Sequence, residues 1–281
     1  MIALKNVTKR FGKQTVLENL SLRIDPGNML CVIGASGSGK TTLLHLLIRA
    51  TDPTDGTVEV DGVNIRTLPT QILQLYRRRV GVIYQEPLLI ESLTVEENVA
   101  LPLELLGAPE ALIKRNTADL LKRLGLSGKA QMLPEHLSLS ERALVGIARA
   151  IVTSPMVIAA DEPFRDLDDK QIETVCEFFR NMQKKGATIV VFSHDASTAR
   201  ALGAQSVQLK DGKISKQEVA KAPAKKADTH RILEESDTPE DDLPPPAGPM
   251  DDSSARPLHV RSMPRVRSGK SVRITSIGSG S

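Results

Sequence analysis

Three observations of this sequence together predict an α/β fold. Short apolar, β-branched runs such as Met29–Ile33 and Thr188–Ser193 recur between turn residues, as strands covered on both faces do. Stretches with a helical apolar period alternate with them; in Gln171–Lys185 the residues Ile172, Val175, Cys176, Phe179 and Met182 share one stripe. A glycine-rich turn at 34–39 joins a strand run directly to a helix run. Such alternation implies a sheet with helices packed on it.

The remaining elements follow in chain order. Further strands are expected at Ile2–Val7, Thr57–Val60, Val80–Tyr84, Met156–Ala160 and Ser206–Lys210, and further helices at Thr42–Arg49, Pro109–Leu124 and Glu141–Thr153. The helical insertion from roughly Glu91 to Thr153 is expected to form a separate lobe. The composition changes at Gln217, which sets a domain over 1–217 and a tail over 218–281. The tail carries Pro244, Pro245 and Pro246 in a row and few large apolar residues, so it is expected to be disordered. Its charges are segregated: nine acidic residues and one Arg over Asp228–Asp252, then six basic and no acidic residues over Arg256–Arg273. It reads as a solvated linker, or as a basic tip that touches anionic lipid or a partner.

With 281 residues the chain is long enough for one large domain and an appendage, at roughly 150 residues per domain. A 40% hydrophobic and 25% charged composition excludes wholesale disorder and a disulfide-stapled mini-protein. With no Trp, two Tyr and five Phe, the sequence offers little for base stacking, and a net charge of +3 argues for no polyanion; no nucleic-acid partner is expected. Cys31 and Cys176 lack a Cys or His neighbour at metal spacing and read as buried thiols of a reducing compartment. Met1–Gln14 lacks the apolar stretch of a secretory signal, and nowhere do eighteen apolar residues run together. A cytoplasmic protein is expected, with any membrane role supplied by a partner.

The chemistry starts at Gly34-Ala35-Ser36-Gly37-Ser38-Gly39-Lys40-Thr41-Thr42, which satisfies the pattern Gly, four residues, Gly-Lys-Ser/Thr between a strand and a helix. Glycines let successive backbone N–H groups turn inward and approach phosphate oxygens, at a helix N-terminus whose dipole favours anions. Lys40 then reaches the β and γ phosphates, and Thr41 offers a hydroxyl to Mg²⁺. The apolar run Met156–Ala160 ends in Asp161-Glu162. A buried strand would deliver Asp161 to its C-terminal edge beside the same Mg²⁺, and Glu162 to where a water meets the γ-phosphate.

A phosphate cradle alone fixes nucleotide binding and not the task. Gln85 follows the strand Val80–Tyr84. Leu137-Ser138 opens a helix that ends Ile147-Ala148-Arg149-Ala150, Asp161-Glu162-Pro163 and Leu167-Asp168 follow it, and His194 closes the strand ending at Ser193. In this order, over Ile2 to about Lys213, the chain resembles the nucleotide-binding domain of ABC transporters. The resemblance implies a RecA-like P-loop core with an antiparallel β subdomain and a helical lobe, taking ATP and Mg²⁺. It also implies roles: Phe11 stacks on adenine, Gln85 contacts Mg²⁺ and the attacking water, Glu162 is the catalytic carboxylate, His194 holds the γ-phosphate, and Ser138 and Asp168 belong to the nucleotide site. Read singly, Phe11 is equally a core aromatic, Gln85 a strand-end amide and His194 a capping or satisfied histidine. Within the family, Arg77–Gln85, Glu97–Leu103 and Val145–Val152 are similar to the FtsE-type cell-division ATPases. The lipoprotein-releasing and macrolide-efflux ATPases share much of this, including Leu43–Leu47. That resemblance implies a homodimer, or a heterodimer with a related ABC subunit, bound to a polytopic membrane protein on the cytoplasmic face of the inner membrane.

ABC domains sandwich ATP between the cradle of one subunit and the signature Leu-Ser-Gly-Gly-Gln/Glu of the other. Here the signature reads Leu137-Ser138-Leu139-Ser140-Glu141. Both glycines are replaced, and Leu139 brings a side chain where bare backbone would approach the γ-phosphate. Ser138 and Glu141 still form a Ser-x-x-Glu capping box. Leu144 stands where the family has Arg, and Phe164 and Arg165 replace small or hydroxyl residues; these changes are expected on one surface, the side offered to the neighbouring subunit. ATP binding is therefore expected to persist, with closure or turnover that is slow or uses a modified geometry. The competing expectations are a nucleotide-dependent scaffold with little hydrolysis and the ATPase of a lipoprotein-release or efflux transporter.

Overall fold

The computed structural model describes residues 1–218. The tail expected over 218–281 lies, from residue 219 on, outside the described residues. Among those described, the strands form two sheets. The smaller contains β1 (Ile2–Phe11), β2 (Gln14–Ile24), β4 (Asp55–Val60) and β5 (Val63–Asn64), all antiparallel, in the order β2-β1-β4-β5. The larger has the order β10-β9-β3-β8-β7-β6, built from β3 (Met29–Ile33), β6 (Val80–Ile83), β7 (Val157–Asp161), β8 (Thr188–Ser193), β9 (Gln205–Lys210) and β10 (Lys213–Glu218). It is parallel except for the edge strand β10. β10 runs across the composition break at Gln217.

Alternation along the central strands divides the interior in two. Leu30 and Val32 of β3, with Val190 and Phe192 of β8, face α1 (Lys40–Leu47) and the antiparallel sheet. Met29, Cys31 and Ile33, with Ile189 and Val191, face α5 (Leu139–Ile151), α6 (Asp169–Lys184) and α7 (Ser197–Leu202). Both faces are covered, which is why these runs are apolar at every position. Cys31 and Cys176 are free and buried; burial pushes their thiols up to about 12 and about 11, so both are packing residues.

A short helix, α2 (Thr70–Arg78), precedes β6, and the helical lobe is made by α3 (Val95–Leu105), α4 (Glu110–Arg123) and α5, with α3 packed on both others. The Thr94 hydroxyl accepts from Glu97 N–H at 3.2 Å and Glu97 returns a bond to Thr94 N–H, which starts α3. Asn98, fully buried, donates its amide to the carbonyls of Ile90, Leu93 and Thr94 and accepts from Ile90 N–H. It thereby ties the segment after β6 to α3.

Candidate functional site

Parallel register brings the chemistry to one edge. Ile33 pairs with Ser193, Asp161 with Phe192 and Ile83 with Ala160, so Gly34, Glu162, His194 and Gln85 all leave their strands at the C-terminal side of the sheet. In open parallel sheets this edge is where ligands bind.

The cradle is shaped by backbone that tolerates no side chain. A Cβ on Gly34 would lie 2.5 Å from both Leu209 O and Ser38 Oγ. Gly39, the N-cap of α1, has φ 105, and a Cβ there would meet Leu17 Cδ2 at 2.7 Å. Gly34 N–H donates to Ser193 O at 3.0 Å, fixing the start of the loop to β8. Lys40 Nζ curls back over the loop to Gly34 O at 2.7 Å and Ala35 O at 3.0 Å, with only 8% of the residue exposed. The Ser38 hydroxyl is buried beneath the loop without a protein hydrogen-bond partner. Buried polar atoms are rarely left so. The close-packed glycines leave bare backbone at the N-terminus of α1, with the Lys40 ammonium beside it. The residues therefore fit a bound polyphosphate.

Thr41 Oγ1 donates to Asp161 Oδ2 at 2.6 Å, which sets two oxygen donors of the kind Mg²⁺ prefers side by side. Asp161 is buried, and burial pushes its carboxyl above the usual range, against the lowering effect of the Thr41 bond. A divalent cation would relieve that cost.

Glu162 follows at φ 47, a left-handed backbone unusual for a non-glycine residue. Its N–H donates to Phe192 O at 2.9 Å, and the turn swings its side chain toward the end of β8. There Oε2 accepts from Ser193 Oγ at 3.1 Å and Oε1 meets His194 Nδ1 at 2.9 Å, with Lys40 Nζ 3.9 Å away. The Glu162 side chain is 10% exposed, that of His194 64%. His194 is thus a partner of Glu162 rather than a helix cap. Gln85 is exposed and lines, with Glu162, Pro87, Gly146, Arg149 and Asp166, one cleft between β6 and α5.

Phe11 is 52% exposed at the turn end of the β1–β2 hairpin, with Lys9 Nζ 4.8 Å from its ring centroid, so it is no core aromatic. The hairpin adjoins the cradle where Val16 and Leu17 approach Gly39. Ser138 and Asp168, in contrast, are helix caps. Ser138 accepts from Glu141 N–H at 3.3 Å and Asp168 from Gln171 N–H at 2.8 Å, each inside a complete capping box.

One expectation is corrected. The departures around the signature do not share a surface: Leu144 is 2% exposed, inside the core, and Phe164 is half-buried against Phe179 at 6.5 Å between centroids. Both fill apolar space between α5, α6 and the sheet. Leu139, 70% exposed, and Arg165 remain outside. Ser193 gives little signal in the sequence, only a hydroxyl at the end of an apolar strand directly before His194.

Comparison with known proteins agrees with this geometry. The family described as ABC transporter matches residues 17–165. The cell division ATP-binding protein FtsE of Mycobacterium tuberculosis is 34% identical over 78% of this chain and 96% of its own length. The methionine import ATP-binding protein MetN of Caulobacter vibrioides is 38% identical over 76% of this chain and 65% of its own, so the chain spans less than two thirds of that relative. Among solved structures, the ATP-binding cassette MJ0796, dimeric in a post-hydrolysis state with ADP and phosphate, has a TM-score of 0.73. Its identity is 33%, with 78% of this chain and 98% of that chain covered. The match of motif order, site geometry and family places this chain in the ABC transporter family, as an ATP-binding subunit and P-loop ATPase that uses ATP with Mg²⁺.

Proposed function

We propose that the chain is the slow ATP-hydrolysing subunit of a membrane-bound ABC complex of the cell-division type. It works as a dimer with itself or a related subunit, against a polytopic membrane protein at the cytoplasmic face. The observation that carries hydrolysis is the Glu162 carboxylate, nearly buried, held by Ser193 and His194 and next in sequence to the Thr41–Asp161 pair. In this reading the cradle, Gly34–Thr42, binds the phosphates by backbone N–H groups and Lys40, and Phe11 packs against the base. Thr41, Asp161 and Gln85 hold Mg²⁺, which when bound neutralises charge on the β and γ phosphates. Glu162 orients the attacking water and takes its proton, while His194, beside Glu162, holds the γ-phosphate. Ser138 and Asp168 face the nucleotide held by the second subunit.

Slow turnover is supported by Leu139. Its side chain stands in solvent at the first residue of α5, where glycine would leave only backbone donors. Losing one donor to a developing charge costs ~3 kcal/mol of barrier, about a hundredfold in rate. The test is ATP hydrolysis by the purified chain beside Glu162→Gln. A wild-type kcat below about 1 s⁻¹ that collapses further in the variant supports the proposal, whereas a faster wild type defeats it.

The cell-division role is supported by the match along 96% of FtsE, against 65% of the methionine importers. Methionine import is the second reading, favoured by the higher identity, 38% against 34%. Identifying the membrane protein that co-purifies from native membranes, with the depletion phenotype, separates them: filamentous cells support division, and lost methionine uptake supports import.

A further inference from the structure

Ser193 stands where four parts of the site meet. Its carbonyl accepts from Gly34 N–H at 3.0 Å and so carries the start of the cradle. Its hydroxyl does separate work: it donates to Glu162 Oε2 at 3.1 Å, accepts from Asp195 N–H at 3.2 Å, and lies 3.0 Å from Thr198 Oγ1. A serine hydroxyl has one proton and two lone pairs. With that proton on Glu162 and one lone pair taken by Asp195, Thr198 is left to donate to the other. The chain Thr198 to Ser193 to Glu162 then has a single direction, and every capacity of the serine is used. Ser193 is 2% exposed and Thr198 6%, so water does not compete for either bond.

Glu162 needs such support. Its left-handed backbone is held by Phe192 O, and its other carboxylate oxygen rests on His194, whose side chain is largely exposed. Ser193 is the buried anchor of the pair. We infer that Ser193, backed by Thr198, is a positioning residue that fixes the Glu162 carboxylate for proton transfer, an inference that rests on the reading of Glu162 as the catalytic carboxylate.

The experiment uses the full chain and measures steady-state ATP hydrolysis, Mg·ATP binding by calorimetry and thermal unfolding. Ser193→Ala keeps the carbonyl bond to Gly34, so Mg·ATP affinity and KM stay within about twofold. Its kcat falls roughly tenfold, the scale expected when a reacting group is displaced by a fraction of an ångström. Ser193→Thr restores most of the loss, and Thr198→Val, which leaves Ser193 in place, loses roughly threefold. In a Glu162→Gln background, adding Ser193→Ala changes the residual rate no further, since both act on one group. The inference is overturned if Ser193→Ala keeps wild-type kcat while Glu162→Gln is inactive, a result that leaves Glu162 as the catalytic carboxylate. It is overturned too if the serine loss is equal in both backgrounds, or if KM rises while Mg·ATP affinity and unfolding temperature fall with kcat. Wild-type turnover by Glu162→Gln removes the parent reading and this one with it.

Discussion

The cradle and the signature helix solve opposite problems. At the cradle, polar groups are buried with capacity unspent: the Ser38 hydroxyl has no protein partner, Lys40 rests on loop carbonyls, and Asp161 is held by a single hydroxyl. At the start of α5 the polar side chains are paired with one another, and only backbone N–H groups of the first turn stay open. Ser138 and Glu141 satisfy each other's backbone, Glu141 pairs with Lys129 at 3.4 Å, and Arg142 makes a two-pronged bridge to Glu91. The cap and its side-chain pairs therefore hold the start of the signature helix in shape whether or not it meets a nucleotide.

The largest expected effect breaks the cradle side. Glu162→Gln removes the proton acceptor and keeps the shape, so kcat falls by about two to four orders of magnitude while Mg·ATP still binds. Next, Leu139→Gly with Ser140→Gly reopens the signature helix. ATP turnover rises, by up to roughly a hundredfold if restored backbone donors reach the γ-phosphate. The two glycines cost about 1 kcal/mol each in helix stability, which a lowered unfolding temperature reports. An unchanged rate would mean that the altered signature is not what limits turnover.

A smaller effect probes how the cradle stores cost. Burial raises the Asp161 carboxyl, so the fold holds that proton more tightly than the unfolded chain does. Its contribution to stability is full below the unfolded value and is lost as pH rises through the folded one. At neutral pH the charged group is a liability of the free protein. Asp161→Asn keeps an acceptor for Thr41 and is expected to raise the unfolding temperature of the nucleotide-free protein by a few degrees. The same variant weakens the stabilisation that Mg·ATP brings. If unfolding temperature is insensitive to the substitution at pH 7 to 8, the buried charge is not the stored cost.

What was legible in the sequence follows the same division. Strands covered on both faces announce themselves by unbroken apolar runs, and Met29–Ile33 and Thr188–Ser193 were bounded to the residue. β2 was missed because Asn19 sits at φ 48, next to Leu20, whose partner Val7 is flanked by register shifts that break the alternation. α3 was missed because Pro102 lies inside it, although the Thr94-x-x-Glu97 box was there to read. Lys40, Thr41, Asp161 and Glu162 were legible through a local pattern. The Ser193 network was not, since Glu162, Ser193 and Thr198 meet only through parallel pairing of β7 with β8 and the left-handed turn at Glu162. The burial of Leu144 was likewise a matter of which face of α5 turns inward, and that of Phe164 of how the turn after β7 lies against Phe179 of α6.

The smallest effect gives the sharpest test of the comparison, because at Ser138 one hydroxyl serves two possible ends. As the N-cap of α5 it satisfies Glu141 N–H; as part of a nucleotide site it would reach a phosphate of the second subunit. Ala and Gly both remove the hydroxyl, yet they differ as caps: Ala costs about 1 kcal/mol and Gly only a few tenths. Ser138→Ala is thus expected to lower the unfolding temperature by a few degrees and Ser138→Gly by much less. Hydrolysis follows a different order if the hydroxyl touches phosphate, for then both variants lose turnover equally. Rates that track stability, with Gly near wild type and Ala below it, would assign Ser138 to the helix alone. The signature of this chain would then act through the shape of α5 and not through its serine.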